Sequence, residues 1–225
     1  ANERLLFIDY DGTLMGFHED PQAVSPDDEV LSLLTGLAAD PKNNVVINSG
    51  RDKQTLEKCL GHLDVEMAAE HGVWMKENGD WKLNPNVVNG WMPKVRELLE
   101  NLVARTPGSF IETKDYSLAW HYRGIDRDLG QKRVREFRDM LTYLIQNQDL
   151  QVLEGNKVVE IKNAGVNKGK ATSHFVQKQK WDFVLGIGDD ATDEDIFTAL
   201  PEDGVSIKVG VDRTAAKYKL SGVSE

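Results

Sequence analysis

Two carboxylates two residues apart, in the run Asp9-Tyr10-Asp11-Gly12-Thr13-Leu14, carry more chemistry than any other stretch of this 225-residue chain. One carboxylate can attack an electrophile while the other handles a proton. Two anions about 4 Å apart repel by roughly 4 kcal/mol at an effective dielectric near 20, so the pair calls for a cation. Read more plainly, the same run is a strand followed by an Asx-type turn. Three further places join a polar group to glycine: Ser49-Gly50, Lys168-Gly169, and Gly188-Asp189-Asp190 with Asp193 beyond it. Each is weak alone. Ser49 equally serves as the cap of the helix that follows, and an exposed place at a helix start is the commoner fate of a lysine such as Lys168. Acids in Asp193-Glu194-Asp195 suit the first turn of a helix. Gly188-Asp189-Asp190 is more specific, because Asp189 emerges where a buried strand ends.

The apolar runs say how such distant residues can meet. Leu5-Leu6-Phe7-Ile8, Val45-Val46-Ile47, residues 65–69 and Phe183-Val184-Leu185-Gly186-Ile187 read as strands buried on both faces, the signature of a parallel sheet. Helical patterns lie between them. One opens at Ser25-Pro26, with Ser25 as the expected N-cap, after a loop over 15–25. Others span 51–60, 167–176 and 193–200, and a short one is expected near 213–220. Residues 205–209 add a strand, and Asn78-Gly79 between two short apolar runs signals a hairpin. In an open sheet of this kind ligands bind at the C-terminal ends of the strands, so Asp9, Asp11, Ser49, Lys168 and Asp189 can converge on one edge. Over 87–164 the pattern changes to helices at 91–104 and 126–146 and strands at 110–113, 117–122, 151–153 and 158–161. The expected fold is therefore α/β: a doubly wound, Rossmann-like parallel sheet core over 1–86 and 165–225, interrupted by an inserted α+β unit over 87–164.

A net charge of −10 argues against a nucleic-acid or anionic-membrane surface. No apolar run reaches membrane-spanning length. No signal segment precedes Leu5, and a cytoplasmic location is the expectation. Cys59 is the single cysteine, which excludes an intrachain disulfide. Neither a glycine-rich dinucleotide fingerprint nor a Walker loop is present.

The ordered set D-x-D-G-T, S-G, K-G and G-D-D-x-x-D resembles the haloacid-dehalogenase-type phosphatase superfamily across the whole core. The resemblance implies that Asp9 is a nucleophile toward phosphorus and that Asp11 is the acid and then the base. Ser49 and Lys168 would bind phosphoryl oxygens. It implies Mg²⁺ on Asp9, the Asp11 backbone carbonyl and Asp189, with Asp193 a weaker outer candidate. An oxygen-only donor set suits that ion.

A narrower resemblance rests on Glu70-His71-Gly72, Glu112-x-Lys114, Arg123, Glu160 and the run Gly188-Asp189-Asp190-Ala191-Thr192-Asp193-Glu194-Asp195. Together these are similar to the trehalose-6-phosphate phosphatase family. It implies that 87–164 is a cap that closes over the site and selects a small sugar phosphate. Glu112, Lys114 and Glu160 would bind sugar hydroxyls, with Arg123 supporting the phosphate end and Lys157 as the cap lysine. A fused or associated trehalose-6-phosphate synthase is the implied partner. From the residues alone, Glu112 and Lys114 read as a surface pair, and the tryptophans as core or interface aromatics. Other sugar phosphates, such as sucrose phosphate, and a catalytically silent regulatory domain stand as alternatives.

Overall fold

The computed structural model describes residues 3–16, 25–145, 148–155 and 157–225. The loop expected over 15–25 lies largely outside them. The chain divides into two compact units, one formed by Ala1–Asn84 and Asn167–Glu225 and the other by Pro85–Val166.

The first unit is built on an eight-stranded sheet. Its strands are β1 (Arg4–Ile8), β2 (Asn43–Asn48), β3 (Glu66–Ala69), β4 (Trp74–Glu77), β5 (Asp80–Leu83), β10 (Phe183–Gly188), β11 (Val205–Val209) and β12 (Tyr218–Leu220). The order across the sheet is β12-β11-β10-β1-β2-β3-β4-β5. β12 through β3 pair in parallel, and β4 and β5 extend that edge antiparallel. β1 is central, and its side chains alternate between two cores. Leu6 and Ile8 join Leu34 of α1 (Asp28–Ala39) and Leu56 and Leu60 of α2 (Lys53–Leu60). Leu5 and Phe7 join Phe175 of α5 (Lys168–Val176) and Ile196 and Phe197 of α6 (Glu194–Ala199). A strand covered on both faces must be apolar at every position, which is why the run reads as continuous.

The second unit is a four-stranded antiparallel sheet, β6 (Phe110–Thr113), β7 (Ser117–His121), β9 (Val158–Asn163) and β8 (Leu150–Gly155) in that order. The helices α3 (Met92–Ala104) and α4 (Arg127–Ile145) share its core. Leu118, Trp120, Val159 and Ile161 of the sheet pack with Val95, Leu99, Phe137 and Leu141. Trp91 and Trp120 are thus core residues. No described helix is long and apolar enough to cross a membrane.

Three local expectations are corrected. The third strand starts at Glu66 rather than at residue 65. The cap of α1 is Asp27, not Ser25: its Oδ1 accepts from the Val30 amide at 2.9 Å. Asp caps as well as Ser does, and Asp28 and Glu29 behind it suit the positive end of the helix. The segment near 213–220 forms β12 instead of a helix. Its backbone pairs in parallel with β11, and the Lys217 ammonium donates to the carbonyls of Glu202 and Gly204. Those partners are remote in sequence, so local propensity does not register them. The Asn78-Gly79 hairpin is as expected, with both residues at positive φ (51° and 86°) as a type I′ turn demands.

Asp27→Ala should cost about 1 kcal/mol and lower the melting temperature by roughly 2–4 °C, whereas Ser25→Ala should leave it unchanged. Thermal denaturation of the two variants side by side checks which residue caps the helix.

Candidate active site

Asp9 leaves the end of β1 at the middle of the sheet, and the loops after β2 and β10 flank it. Lys168 stands on the first turn of α5, where Asn167 caps the helix by accepting from the Lys170 amide. Asn48, at the end of β2, donates through Nδ2 to the Lys168 carbonyl (3.0 Å) and to Thr172 Oγ1 (3.3 Å). A strand end thereby fixes a helix start. From there the Lys168 ammonium reaches Asp9 Oδ1 at 2.6 Å and Asp193 Oδ1 at 2.7 Å, with all three residues buried. Thr13 Oγ1 donates to the other Asp9 oxygen at 3.1 Å.

Asp193 organises the acidic loop after β10. Its Oδ2 accepts from the amides of Asp189 and Asp190, both at 3.0 Å. From the other side the buried ammonium of Lys208, on β11, donates to the Asp189 and Asp190 carbonyls. The loop is tight enough to require glycine. A Cβ on Gly188 would fall 2.2 Å from the Asp193 carboxyl carbon. One on Gly12, whose φ is +85°, would fall 2.2 Å from Asp189 Oδ2.

Ser49 is buried, and its Oγ accepts from the Arg51 amide at 3.1 Å. The Arg51 guanidinium grips the Asp11 carboxylate in a fork, with contacts of 2.7 and 2.6 Å, and lies over the Tyr10 ring. After β3, Glu70 and His71 take left-handed conformations (φ 49° and 59°). Their amides donate to the Arg51 and Ser49 carbonyls. A Cβ on Gly50 would meet the His71 ring at 2.8 Å, so the close fit of the two loops requires glycine there. Asp9, Asp11, Ser49, His71, Lys168, Asp189 and Thr192 line a cleft of about 180 Å³. That volume suits a phosphoryl group better than a disaccharide.

The charges are crowded. Burial drives the Asp9 carboxyl well above the ordinary range, and Asp193 and Asp189 push the same way against the pull of Lys168. Asp189 is pushed up to about 6 by burial, with Asp190 and Asp193 adding to it. Burial also opposes the Lys168 ammonium, but Asp9, Asp193 and Asp190 outweigh it and hold the lysine charged. Asp190 is lowered: burial opposes its ionisation, but the Lys168 charge and the hydrogen bonds from Thr192 prevail.

One buried ammonium therefore faces more than one buried carboxylate. Asp9, Asp189 and Asp193 each bring a carboxylate oxygen within 4.8 Å of the others. Asp193 is already engaged by Lys168 and two amides, which leaves Asp9 and Asp189 facing each other. Oxygen donors with unbalanced negative charge fit a hard divalent cation.

All five core residues expected from the sequence, Asp9, Asp11, Ser49, Lys168 and Asp189, thus line one cleft. The sequence reading gave no role to Thr13, Asn48, Arg51 or Lys208, and took Asp193 as a weak outer candidate. Lys208 was detectable in principle, because it interrupts the apolar strand Val205–Val209. Within the other unit, Glu112 and Glu160 lie on one sheet face on either side of Ala119. Lys114 Nζ is 3.5 Å from Glu160 Oε1, which also accepts from Ser117 Oγ at 2.8 Å. Arg123 is exposed just beyond β7, and Lys157 (φ 63°) sits in the β8–β9 turn, where its carbonyl accepts from the Tyr122 amide.

A family model described as trehalose-phosphatase matches residues 7–224. The bifunctional trehalose-6-phosphate synthase/phosphatase of Thermoproteus tenax is 39% identical over 221 residues, covering 98% of this chain and 30% of that protein. The solved C-terminal domain of C. albicans trehalose-6-phosphate phosphatase is 33% identical with a TM-score of 0.91, covering 99% of this chain and 89% of that one. A haloacid-dehalogenase-like hydrolase from B. subtilis, at 13% identity and a TM-score of 0.63 over 96% of this chain and 93% of that one, shares the fold alone. The chain spans 25% to 30% of the length of the first curated relatives it matches. With its fold and nearly its whole length matched, the chain belongs to the trehalose-phosphatase family, phosphoric monoester hydrolases of the haloacid-dehalogenase-like fold.

Proposed function

We propose that this chain hydrolyses trehalose 6-phosphate to trehalose and phosphate through a phosphorylated Asp9, with Mg²⁺ as the ion that the site takes. The observation carrying this reading is the Asp9 carboxylate, buried at the mouth of β1 between the Lys168 ammonium and the Thr13 hydroxyl. A carboxylate so placed is fixed in direction and short of water, as an in-line nucleophile needs to be.

Asp9 attacks phosphorus, and the bond from phosphorus to the sugar oxygen breaks. Asp11 gives its proton to that oxygen, then takes one from the water that attacks the aspartyl phosphate. Phosphate leaves and Asp9 is restored. Arg51 aims the Asp11 carboxyl group through its two-pronged contact. Ser49 and Lys168 bind the phosphoryl oxygens. Asp9, the Asp11 carbonyl and Asp189 would hold the ion, whose charge offsets the repulsion between a phosphate dianion and these carboxylates.

On this reading the Pro85–Val166 unit is the substrate-selecting cap. Glu112, Lys114 and Glu160 pair with sugar hydroxyls, Arg123 supports the phosphate end, and Lys157 is the cap lysine. Hydroxyl recognition of this kind rejects ligands lacking the hydroxyl, because the protein groups are then left unpaired. The T. tenax relative joins a synthase to a phosphatase in one chain, which supports a fused or associated trehalose-6-phosphate synthase as partner. A cytoplasmic location belongs to the same reading, since a charged sugar phosphate does not cross a bilayer unaided.

Phosphate release from trehalose 6-phosphate, sucrose 6-phosphate and glucose 6-phosphate, with and without a chelator, tests the function. Trehalose 6-phosphate should be turned over fastest, and chelation should abolish the reaction until Mg²⁺ is restored. Faster release from sucrose phosphate would replace the substrate, and no release from any would indicate a silent domain. Asp9→Asn should cut kcat by about 10⁴-fold or more while circular dichroism shows an unchanged fold; a wild-type rate would exclude Asp9 as nucleophile. Lys168→Met should abolish turnover and lower stability by about 3–5 kcal/mol, because it strands two buried carboxylates. Urea denaturation measures that loss.

A further inference from the structure

On the sheet of the Pro85–Val166 unit, one face is consumed by the helices and the other is polar. Phe110, Glu112, Ser117, Ala119, His121 and Glu160 alternate onto the polar face, opposite the buried Leu118, Trp120 and Ile161. Two residues of that face stand out. His121 Nε2 lies 2.7 Å from Glu112 Oε2. Phe110, directly opposite His121 in register, stacks on the imidazole with ring centroids 4.8 Å apart and planes 11° from parallel. The Phe110 ring is 58% exposed, whereas Trp91 and Trp120 of the same unit are buried in its core. It is therefore the aromatic residue of this face that a ligand can reach.

We propose that Phe110, Glu112 and His121 form a single hexose subsite, with His121 as the positioning residue that fixes the Glu112 carboxylate and Phe110 as the apolar surface for the C–H face of the sugar ring. The inference rests on the sugar-phosphate reading above and adds Phe110 and His121, to which that reading gives no role. The physics of each part is separate. A glutamate side chain has three rotatable bonds, and ordering it on binding costs affinity unless something orders it beforehand. His121 does that through Oε2, which leaves Oε1 to accept from a ligand hydroxyl. The imidazole is held in turn by its stack on Phe110, so one ring orients the next and the second orients the carboxylate. A hexose is amphipathic, with hydroxyls around its rim and C–H groups on its faces. A carboxylate acceptor beside an exposed aromatic matches both, whereas a phosphate would be repelled by the acid.

The test compares His121→Phe, which keeps the stack and loses the hydrogen bond, His121→Gln, which keeps a donor, and Phe110→Ser. Each is assayed with trehalose 6-phosphate and with p-nitrophenyl phosphate, which has no sugar. The preference for trehalose 6-phosphate, as a ratio of kcat/KM values, should fall about tenfold in His121→Phe. The loss should reside in KM rather than kcat. His121→Gln should recover most of it, and Phe110→Ser should lower the ratio several-fold. A ratio within twofold of wild type in His121→Phe would overturn the positioning role, and the same result in Phe110→Ser would overturn the apolar surface. If His121→Phe fails to fold by circular dichroism, His121→Gln against His121→Ala reads the same hydrogen bond. A wild-type protein with no preference for trehalose 6-phosphate over p-nitrophenyl phosphate would overturn the substrate reading, and this subsite with it.

Discussion

The ammonium of Lys168, buried between Asp9 and Asp193, is the constraint on which the rest of the site depends. Without it, the buried Asp9 and Asp193 and the half-buried Asp189 would repel one another with little solvent to screen them. With it, Asp9 is aimed and Asp193 is free to spend its other oxygen on the amides of Asp189 and Asp190. The same lysine therefore sets both Asp9 and the acidic loop. Its own position is secured from behind, by the Asn48 amide on its carbonyl and by the Asn167 cap at the start of α5. Lys208 completes the support by binding the carbonyls of the same loop. Burial holds the Asp9 and Asp189 carboxyls above their ordinary range, and the neighbouring carboxylates add to it.

Around this centre the backbone accepts conformations that side chains resist. Glu70 and His71 are left-handed without being glycine, at a cost of about 1–2 kcal/mol each. What they gain is a turn whose amides bind the carbonyls of Ser49 and Arg51, so the ends of β2 and β3 are locked together. Gly12, Gly50 and Gly188 leave the space into which Asp189, His71 and Asp193 fit. Left-handed residues and close approach come together here, where loops from different strands must meet in a small volume.

The two units divide the chemistry by type. The sheet of the first unit is covered on both faces and exposes function only at its strand ends, where backbone and charge dominate. The sheet of the second packs one face against its helices and carries polar side chains on the other. Glutamates, a lysine, a histidine and an exposed phenylalanine occupy it. Recognition of an extended polyhydroxylated ligand suits the second arrangement, and attack on a single phosphorus atom suits the first.

The sequence by itself determined the strands and most of the helices, because apolar runs covered on two faces and hairpin turns such as Asn78-Gly79 are local in origin. It also placed Asp9, Asp11, Ser49, Lys168 and Asp189 at element ends, where a doubly wound sheet gathers them. Several things were not legible. The helix expected near 213–220 became a strand because its partners on β11 are remote. The α1 cap moved from Ser25 to Asp27, since several residue types cap equally well and only geometry selects among them. The pairing of Arg51 with Asp11 and the clamp of Asn48 on Lys168 were invisible as well, and Lys208, although it interrupts an apolar strand, did not disclose the carbonyls it binds. A residue's type and spacing disclose what it can do, but which charge it faces is decided by tertiary contact: electrostatic and hydrogen-bond energies depend on distances of a few ångströms between groups that the chain separates by tens of residues.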